Sequence, residues 1–351
     1  MIVDHALTAA IERHQGNSDG NIVIRRREEG LYYYYSGKKQ TVDVPEDGEY
    51  ELIAVGGRGG SCHIKSGGYG AEARGRFLLS EGDRLHIAVG GKGGDCNRRV
   101  VDFHHAPSET MYSGAGGAGG SFIELEERTS KTRKLLLVGG GGGGAGRHHD
   151  GGDGEDGKDG KDGGFGWGGK NGEGGGLSCQ DEYSSCDLGF FLIGGAGGGG
   201  YEGDGDSRCG TFPSCPIYDY DFNPVRFIAL NEREECKKEN LLAEGGKSLQ
   251  NGGEGGREHV DVHETENNFF TTDLGKTIHV RCTSRYLNGG VGGFGGGARG
   301  GILYAGEYYP YSATDINSAG HKEVFEHGGG GGGGGYSGGG AGQFQGLGGG
   351  G

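Results

Sequence analysis

The stretch FEHGGGGGGGGYSGGGAG, residues 325–342, sets eight consecutive glycines, Gly328–Gly335, ahead of Tyr336-Ser337 and three more glycines. Taken alone, such a run is a flexible coil, the default behaviour of any glycine-rich linker. It does not stand alone. Of 351 residues, 89 are glycine, and further tracts recur as GGGGGGAG at 139–146, within 151–176, as GGAGGGGYEGDGD at 194–206 and as GGVGGFGGGARGG at 289–301. A linker tolerates polar residues anywhere, whereas a packed bundle needs several long tracts of similar length. The sequence has the second pattern.

Glycine has one ordered alternative to coil. In polyproline II geometry there are three residues per turn and no internal hydrogen bonds, so every N–H and C=O is left for a neighbouring chain. Without a Cβ, neighbours approach closely enough to satisfy those groups. Ordering costs roughly 1–2 kcal/mol per residue, and more for glycine, so a lone tract stays disordered. Several tracts packed together and anchored by a folded core need not. The expectation is a bundle of glycine-rich polyproline II helices, with Gly139, Gly142, Gly166, Gly198, Gly293, Gly296, Gly331 and Gly334 among its structural residues.

The anchor is readable in the apolar blocks. In residues 31–57, Tyr32, Tyr34, Thr41, Val42 and Val44 favour strand, Pro45–Gly48 reads as a turn, and EYELIAV (49–55) is apolar on both faces from Leu52 onward. Ala71–Leu79 and Arg84–Val89 flank the turn Ser80–Asp83, and Ser121–Glu127 and Lys134–Val138 form a third pair. Three hairpin-like units running out into glycine describe a mainly β fold, an antiparallel β-sandwich with glycine tracts at one end. The domain plan is therefore a poorly ordered lead-in over 1–30, sandwich strands over 31–138, and a glycine-rich bundle with Cys- and Tyr-bearing inserts over 139–351. Short helices are expected over Asp4–His14 and Phe227–Ala243, and a hairpin or loop over GILYAGEYYPYSA (301–313).

The formal net charge of −15 is spread along the chain, which argues against nucleic acid or an anionic membrane as partner. Eight cysteines, Cys62, Cys96, Cys179, Cys186, Cys209, Cys215, Cys236 and Cys282, contain no C-x-x-C pair. They match no zinc or iron–sulfur spacing, so they are candidate disulfide cysteines and imply an oxidising compartment. Cys179 with Cys186 and Cys209 with Cys215 are the locally plausible pairs. The first twenty residues lack the pattern of a signal peptide, and the last residues lie within a glycine tract, so the chain is expected to be a fragment of a longer protein. No apolar segment is long enough to span a bilayer as a helix.

Motifs for chemistry are weak. G-x-G-x-x-G matches arise by chance in such a composition, and Gly246-Lys247-Ser248 has Leu241 where a phosphate-binding loop needs glycine. His104-His105 and His148-His149 lack an evident third metal ligand, and no nucleophile sits in a recognisable elbow. No catalytic, cofactor-binding or metal-binding residue is assigned and no cofactor is expected. The tract aromatics Phe165, Trp167, Tyr201, Phe294 and Tyr336 are expected to pack the rim of the bundle, or else to make contacts on an adhesive face.

The order VPEDGEYELIAVGGRGG (44–60), GGYGAEARGRFLLSEGDRLHIAVGGKGG (67–94), LLLVGGGGGGAG (135–146), GGFGWGGKNGEGGG (163–176) and GGGGGGGGYSGGGAG (328–342) resembles the glycine-rich domain of the anaplastic lymphoma kinase and leukocyte tyrosine kinase receptors. The specific part is Val-Pro-x-Asp-Gly-x-Tyr at 44–50 with Gly-x-Gly-Ala-x-Ala-x-Gly at 68–75. The resemblance implies a tumour-necrosis-factor-like β-sandwich carrying the glycine bundle, outside the cell, binding a small basic cytokine. It also implies a membrane-anchored parent whose full-length relatives are receptor protein-tyrosine kinases, although this chain carries no kinase motif. The expected function is an extracellular, ligand-binding recognition domain; the alternative is a structural or adhesive glycine-rich surface protein without a signalling role.

Overall fold

Leu52 and Ala54 show how the fold begins. They alternate along one strand, point to the same side and are fully buried, so the strand must lie against a second apolar layer. The computed structural model describes residues 19–27, 29–101, 109–155, 157, 159–164, 166–177, 194–209, 217–218, 224–226, 241–257, 264–267, 270–271, 277–311, 322–326, 328–342 and 348–351. Ten strands open the chain: β1 Asn21–Arg26, β2 Glu29–Tyr34, β3 Gln40–Asp43, β4 Gly48–Val55, β5 Glu72–Leu79, β6 Arg84–Ala88, β7 Arg98–Val101, β8 Glu109–Tyr112, β9 Ser121–Glu126 and β10 Arg133–Gly139. They form antiparallel sheets in the orders β2-β1-β4-β5 and β10-β9-β6-β3, with β7 and β8 paired separately. The described residues are mainly β and contain no α-helix.

The two four-stranded sheets share one core. Ile22, Ile24, Tyr50, Leu52, Ala54 and Leu79 come from the first, and Leu85, Ile87, Ile123 and Leu125 from the second. Each fully buried aliphatic side chain contributes about 1.5–3 kcal/mol from desolvation, so this cluster is the main apolar store of the fold. On the outer face of the first sheet, Arg25 and Arg74 flank the partly buried Glu51 at 3.3 and 3.8 Å.

The expected strands are present within one or two residues, but their pairing is different. β5 and β6 do not form a hairpin; β5 pairs with β4 and β6 with β9 and β3. Likewise, the turn 45–48 carries the chain from β3 in one sheet to β4 in the other. The reason lies at Asp83. Its carboxylate accepts the N–H groups of Ser80 and Arg128, both at 2.9 Å, while Val44 N–H donates to Asp83 O at 2.8 Å and Gly82 N–H to Val44 O at 2.9 Å. These bonds clamp two sheet-to-sheet corners side by side. Only β9 and β10 make one of the three expected hairpins.

Other expectations also change. The lead-in does not extend to residue 30, because Ile22, Val23 and Ile24 place β1 between β2 and β4. Of the expected helix 227–243, residues 227–240 lie outside the described residues, and Leu241–Ala243 is a strand paired with Arg208–Cys209. The expected helix 4–14 also lies outside them. Leu303–Tyr311 is a strand between Thr277–Leu287 and Lys322–Glu326 in a third antiparallel sheet.

Between the strands, the glycine tracts bond to one another with a repeat of three. Gly114, Gly117 and Gly120 donate to the carbonyls of Gly301, Ala298 and Gly295 at 2.8–2.9 Å. Ala115 and Ala118 donate to Ala145 and Gly142, and Gly116 and Gly119 to Gly94 and Gly91. The same tract accepts from Gly57 and Gly60, from Gly290 and Gly293, and from Gly331 and Gly334. Successive residues thus address different neighbours, and every third returns to the same one. Ala115, Ala118, Ala145, Ala196, Ala298 and Ala341 are fully buried, so a methyl group fits only where the facing tract leaves room.

Tract ends need other acceptors, and aspartates supply them. Asp95 accepts from Ser61 N–H, Asp150 from Ser66, Asp153 from Tyr69, Asp162 from Gly168 and Asp204 from Ser248, at 2.7–2.9 Å. The Ser66 bond holds the Asp150 carboxyl below the ordinary carboxylate range. For Asp95 and Asp204, burial acts upward, but the backbone bonds and Lys92 or Lys247 outweigh it.

Two outcomes follow. Gly331→Val should lower stability by about 3 kcal/mol or more, because its Cβ would lie against the carbonyls of Ala298 and Arg299. Gly157→Val should leave the melting temperature unchanged, since nothing lies within 4 Å of a Cβ there; equal melting of both variants would return the tracts to linkers. The depressed carboxyls give stability that is full above their unfolded value of 3.8 and lost as pH falls through the lower folded values. Thermal melts should therefore be flat near neutrality and fall below about pH 4.

Candidate functional site

A cleft of about 550 Å³ lies where the β2–β3 connection meets the glycine tracts. Tyr35, Lys38 and Lys39 line it from the β2–β3 connection, and Glu254, Arg257, Val291 and Phe294 line it from segments 254–257 and 291–294. Gly37, at φ 70°, provides the left-handed turn that aims the two lysines. Lys39 Nζ donates to Leu249 O at 2.8 Å, which pins the connection to the tract region. Arg257 is held by Glu254 at 2.5 Å and by its own N–H to a Glu244 carboxylate oxygen at 2.8 Å. Tyr35 and Phe294 face each other at 6.5 Å between ring centroids. The cleft thus combines three cations and one carboxylate with apolar walls, in a chain of net charge −15.

The tract glycines marked in the sequence divide. Gly142, Gly198, Gly293, Gly331 and Gly334 each donate to another tract, and Gly166 accepts from Gly163. Gly139 instead ends β10, paired with Ser121, and Gly296 occupies the turn 294–296 at φ 91°. Cys62 and Cys96 form a disulfide, with Cys62 packed on Ala115 and Ala145. It therefore clasps the far ends of the tracts that leave β4 and β6. Cys209 and Cys282 lie on strands, while Cys179, Cys186, Cys215 and Cys236 lie outside the described residues, as do both locally plausible pairings in whole or part.

The apparent chemical motifs resolve into structure. Lys247 Nζ is bound by Asp204 at 2.9 Å, and the same carboxylate takes the N–H of Ser248. Among the described residues no three metal-ligating side chains converge; His148 and His149 are exposed, and His104 and His105 lie outside. Of the tract aromatics, Phe165 lies outside the described residues and Trp167 is partly exposed. Phe294 packs with Tyr201 against the Phe122 and Leu249 cluster, and Tyr201 stacks on Tyr336 at 6.4 Å. The Tyr201 hydroxyl donates to Glu124 at 2.7 Å; burial and that carboxylate push its pKa well above the usual tyrosine value. Tyr201, Phe294 and Tyr336 thus pack together beside the second sheet.

Sequence reasoning missed the cleft. Its only local signal was the pair Lys38-Lys39 after Gly37, and nothing marked Arg257, which comes from more than two hundred residues away. No protein-family model matches the chain, and no curated protein matches it either. No helix among the described residues is long and apolar enough to cross a membrane.

Tyr201→Phe should lower stability by about 1–3 kcal/mol, because the Glu124 side chain, only 7% exposed, would lose its hydroxyl donor. Chemical denaturation checks this, and no change would mean that water takes over the bond.

Proposed function

We propose that this chain is a non-catalytic, extracellular ligand-recognition domain of the kind found in anaplastic lymphoma kinase-type receptors. In this reading the two sheets form a tumour-necrosis-factor-like β-sandwich, and the tracts are polyproline II rods packed beside it. One observation carries the reading: the three-residue step with which tract 114–120 bonds to six surrounding segments, two of them from the tract 289–301. Three residues per turn with no internal hydrogen bonds is the geometry that produces such a step. The described glycines of that tract and of 328–335 also avoid the left-handed region, which agrees with a single extended helix hand.

A recognition role suits this construction better than a tether does. Rods fixed on a sheet core hold a rigid surface, and rigidity reduces the entropy lost on binding. The Cys62–Cys96 disulfide supports an oxidising location at a cell surface or outside the cell. The acidic surface suits a small basic protein as ligand, with electrostatics giving on-rate more than affinity. The parent would carry the membrane anchor and any kinase.

Circular dichroism and binding test this together. The expected result is a polyproline II signature that melts cooperatively with the sheet signal, and capture of a lysine-rich peptide that weakens as salt is raised. A glycine signal that melts separately, or capture that salt leaves unchanged, would count against the reading. A cell-surface protein that binds no basic probe would point to the structural or adhesive role instead. Separately, Cys62→Ser with Cys96→Ser opens a 34-residue link and should cost about 2–4 kcal/mol, seen as a lower melting temperature that reducing agent reproduces in the native chain.

A further inference from the structure

The cleft has the opposite sign from the molecule that carries it. We infer that it binds an acidic peptide segment in which carboxylates alternate with apolar side chains; this rests on reading the chain as a recognition domain. Lys38 and Lys39 are exposed, and among the described residues neither makes an ion pair. Lys39 gives one N–H to Leu249 O and keeps two for a ligand. Arg257 meets Glu254, which engages at most part of a five-donor guanidinium. Cationic donors therefore come from both segments that line the opening, and Lys39 and Arg257 are each held by a bond to their surroundings.

The apolar part of the cleft narrows the choice of ligand. Tyr35, Val291 and Phe294 offer aromatic and branched surface beside the cations, and Val291 is 44% exposed. An inorganic anion would leave that surface wet. A short peptide carries both kinds of group on one backbone, so carboxylates can reach Lys38 and Arg257 while apolar side chains meet Tyr35 and Phe294. A long polyanion is disfavoured because it would extend beyond the cleft over a surface of net charge −15. A short acidic segment feels mainly the local cations, since screening acts over about 8 Å at physiological salt.

The test is a titration of the whole chain with fluorescein-labelled acetyl-(Glu-Leu)3-amide, with acetyl-(Lys-Leu)3-amide and inorganic phosphate as comparison probes. The acidic peptide is expected to bind and to weaken at least about tenfold in Lys38→Glu/Arg257→Glu, whose melting temperature shows whether the fold is intact. Should the double variant melt early, Lys38→Gln replaces it, with an expected loss of about threefold. No binding of the acidic peptide, equal binding by a folded variant, or displacement by phosphate at matched concentration would each overturn the inference. Binding of the lysine peptide without the glutamate peptide would overturn it while leaving the recognition role in place; binding of neither would remove both.

Discussion

The hydrogen bond from a main-chain N–H of one glycine tract to a carbonyl of the next is the interaction on which this structure depends. A tract that bonds only to other tracts has no side chains with which to bury apolar surface, and each ordered residue costs roughly 1–2 kcal/mol in entropy. A net gain of about 0.5–1.5 kcal/mol per bond does not offset that by itself. Close packing must add dispersion, and buried N–H groups must all find partners, since each one left unmade costs about 1–3 kcal/mol more. Glycine at nearly every tract position, alanine at a few enclosed sites and aspartate at the ends are three answers to that requirement. The acidity of the chain is thus partly architectural, because Asp95, Asp150, Asp153, Asp162 and Asp204 accept backbone protons that no tract could take.

The sheets supply what the tracts lack. β4 ends at Val55 and runs directly into Gly56, β9 begins directly after Gly120, and β10 ends at Gly139. Tracts that leave paired strands start with their positions and directions already fixed, so part of their ordering entropy is lost in forming the sheets. At the far end, the Cys62–Cys96 disulfide joins two of these tracts beside buried Ala115 and Ala145. Those two tracts are therefore held at both ends, by strands on one side and a covalent bond on the other. The cleft lies where a strand connection meets the side of the tract region, and Lys39 bonds across that boundary.

Local pattern made much of this legible in the sequence. Strand positions were readable because alternation and β-branched residues act over a few residues; β5, β6, β9 and β10 fall within a residue or two of the positions read for them. Pairing was not readable. Ser80–Asp83 has the same turn chemistry whether it closes a hairpin or a corner, and the deciding bonds to Val44 and Arg128 come from far along the chain. The strand Asn21–Arg26 was hidden by charged flanks around only three apolar residues, Ile22 to Ile24. The repetition of tracts signalled that they pack, but not which faces which. The cysteine pairing that the described residues contain spans separate tracts, so proximity in sequence favoured other pairs. The cleft was the least legible feature, since its charged walls come from loops brought together only by folding.

The three-residue step has a consequence for how the chain can vary. A residue inserted into tract 114–120 would shift the triplet pattern of its hydrogen bonds by one, sending each N–H beyond it to a neighbour that expects a carbonyl elsewhere. The buried alanines would then meet walls built for glycine. Changes of length in multiples of three preserve every facing relation and alter only reach. The tracts behave as text read in triplets, and their natural unit of insertion or loss is the turn, not the residue.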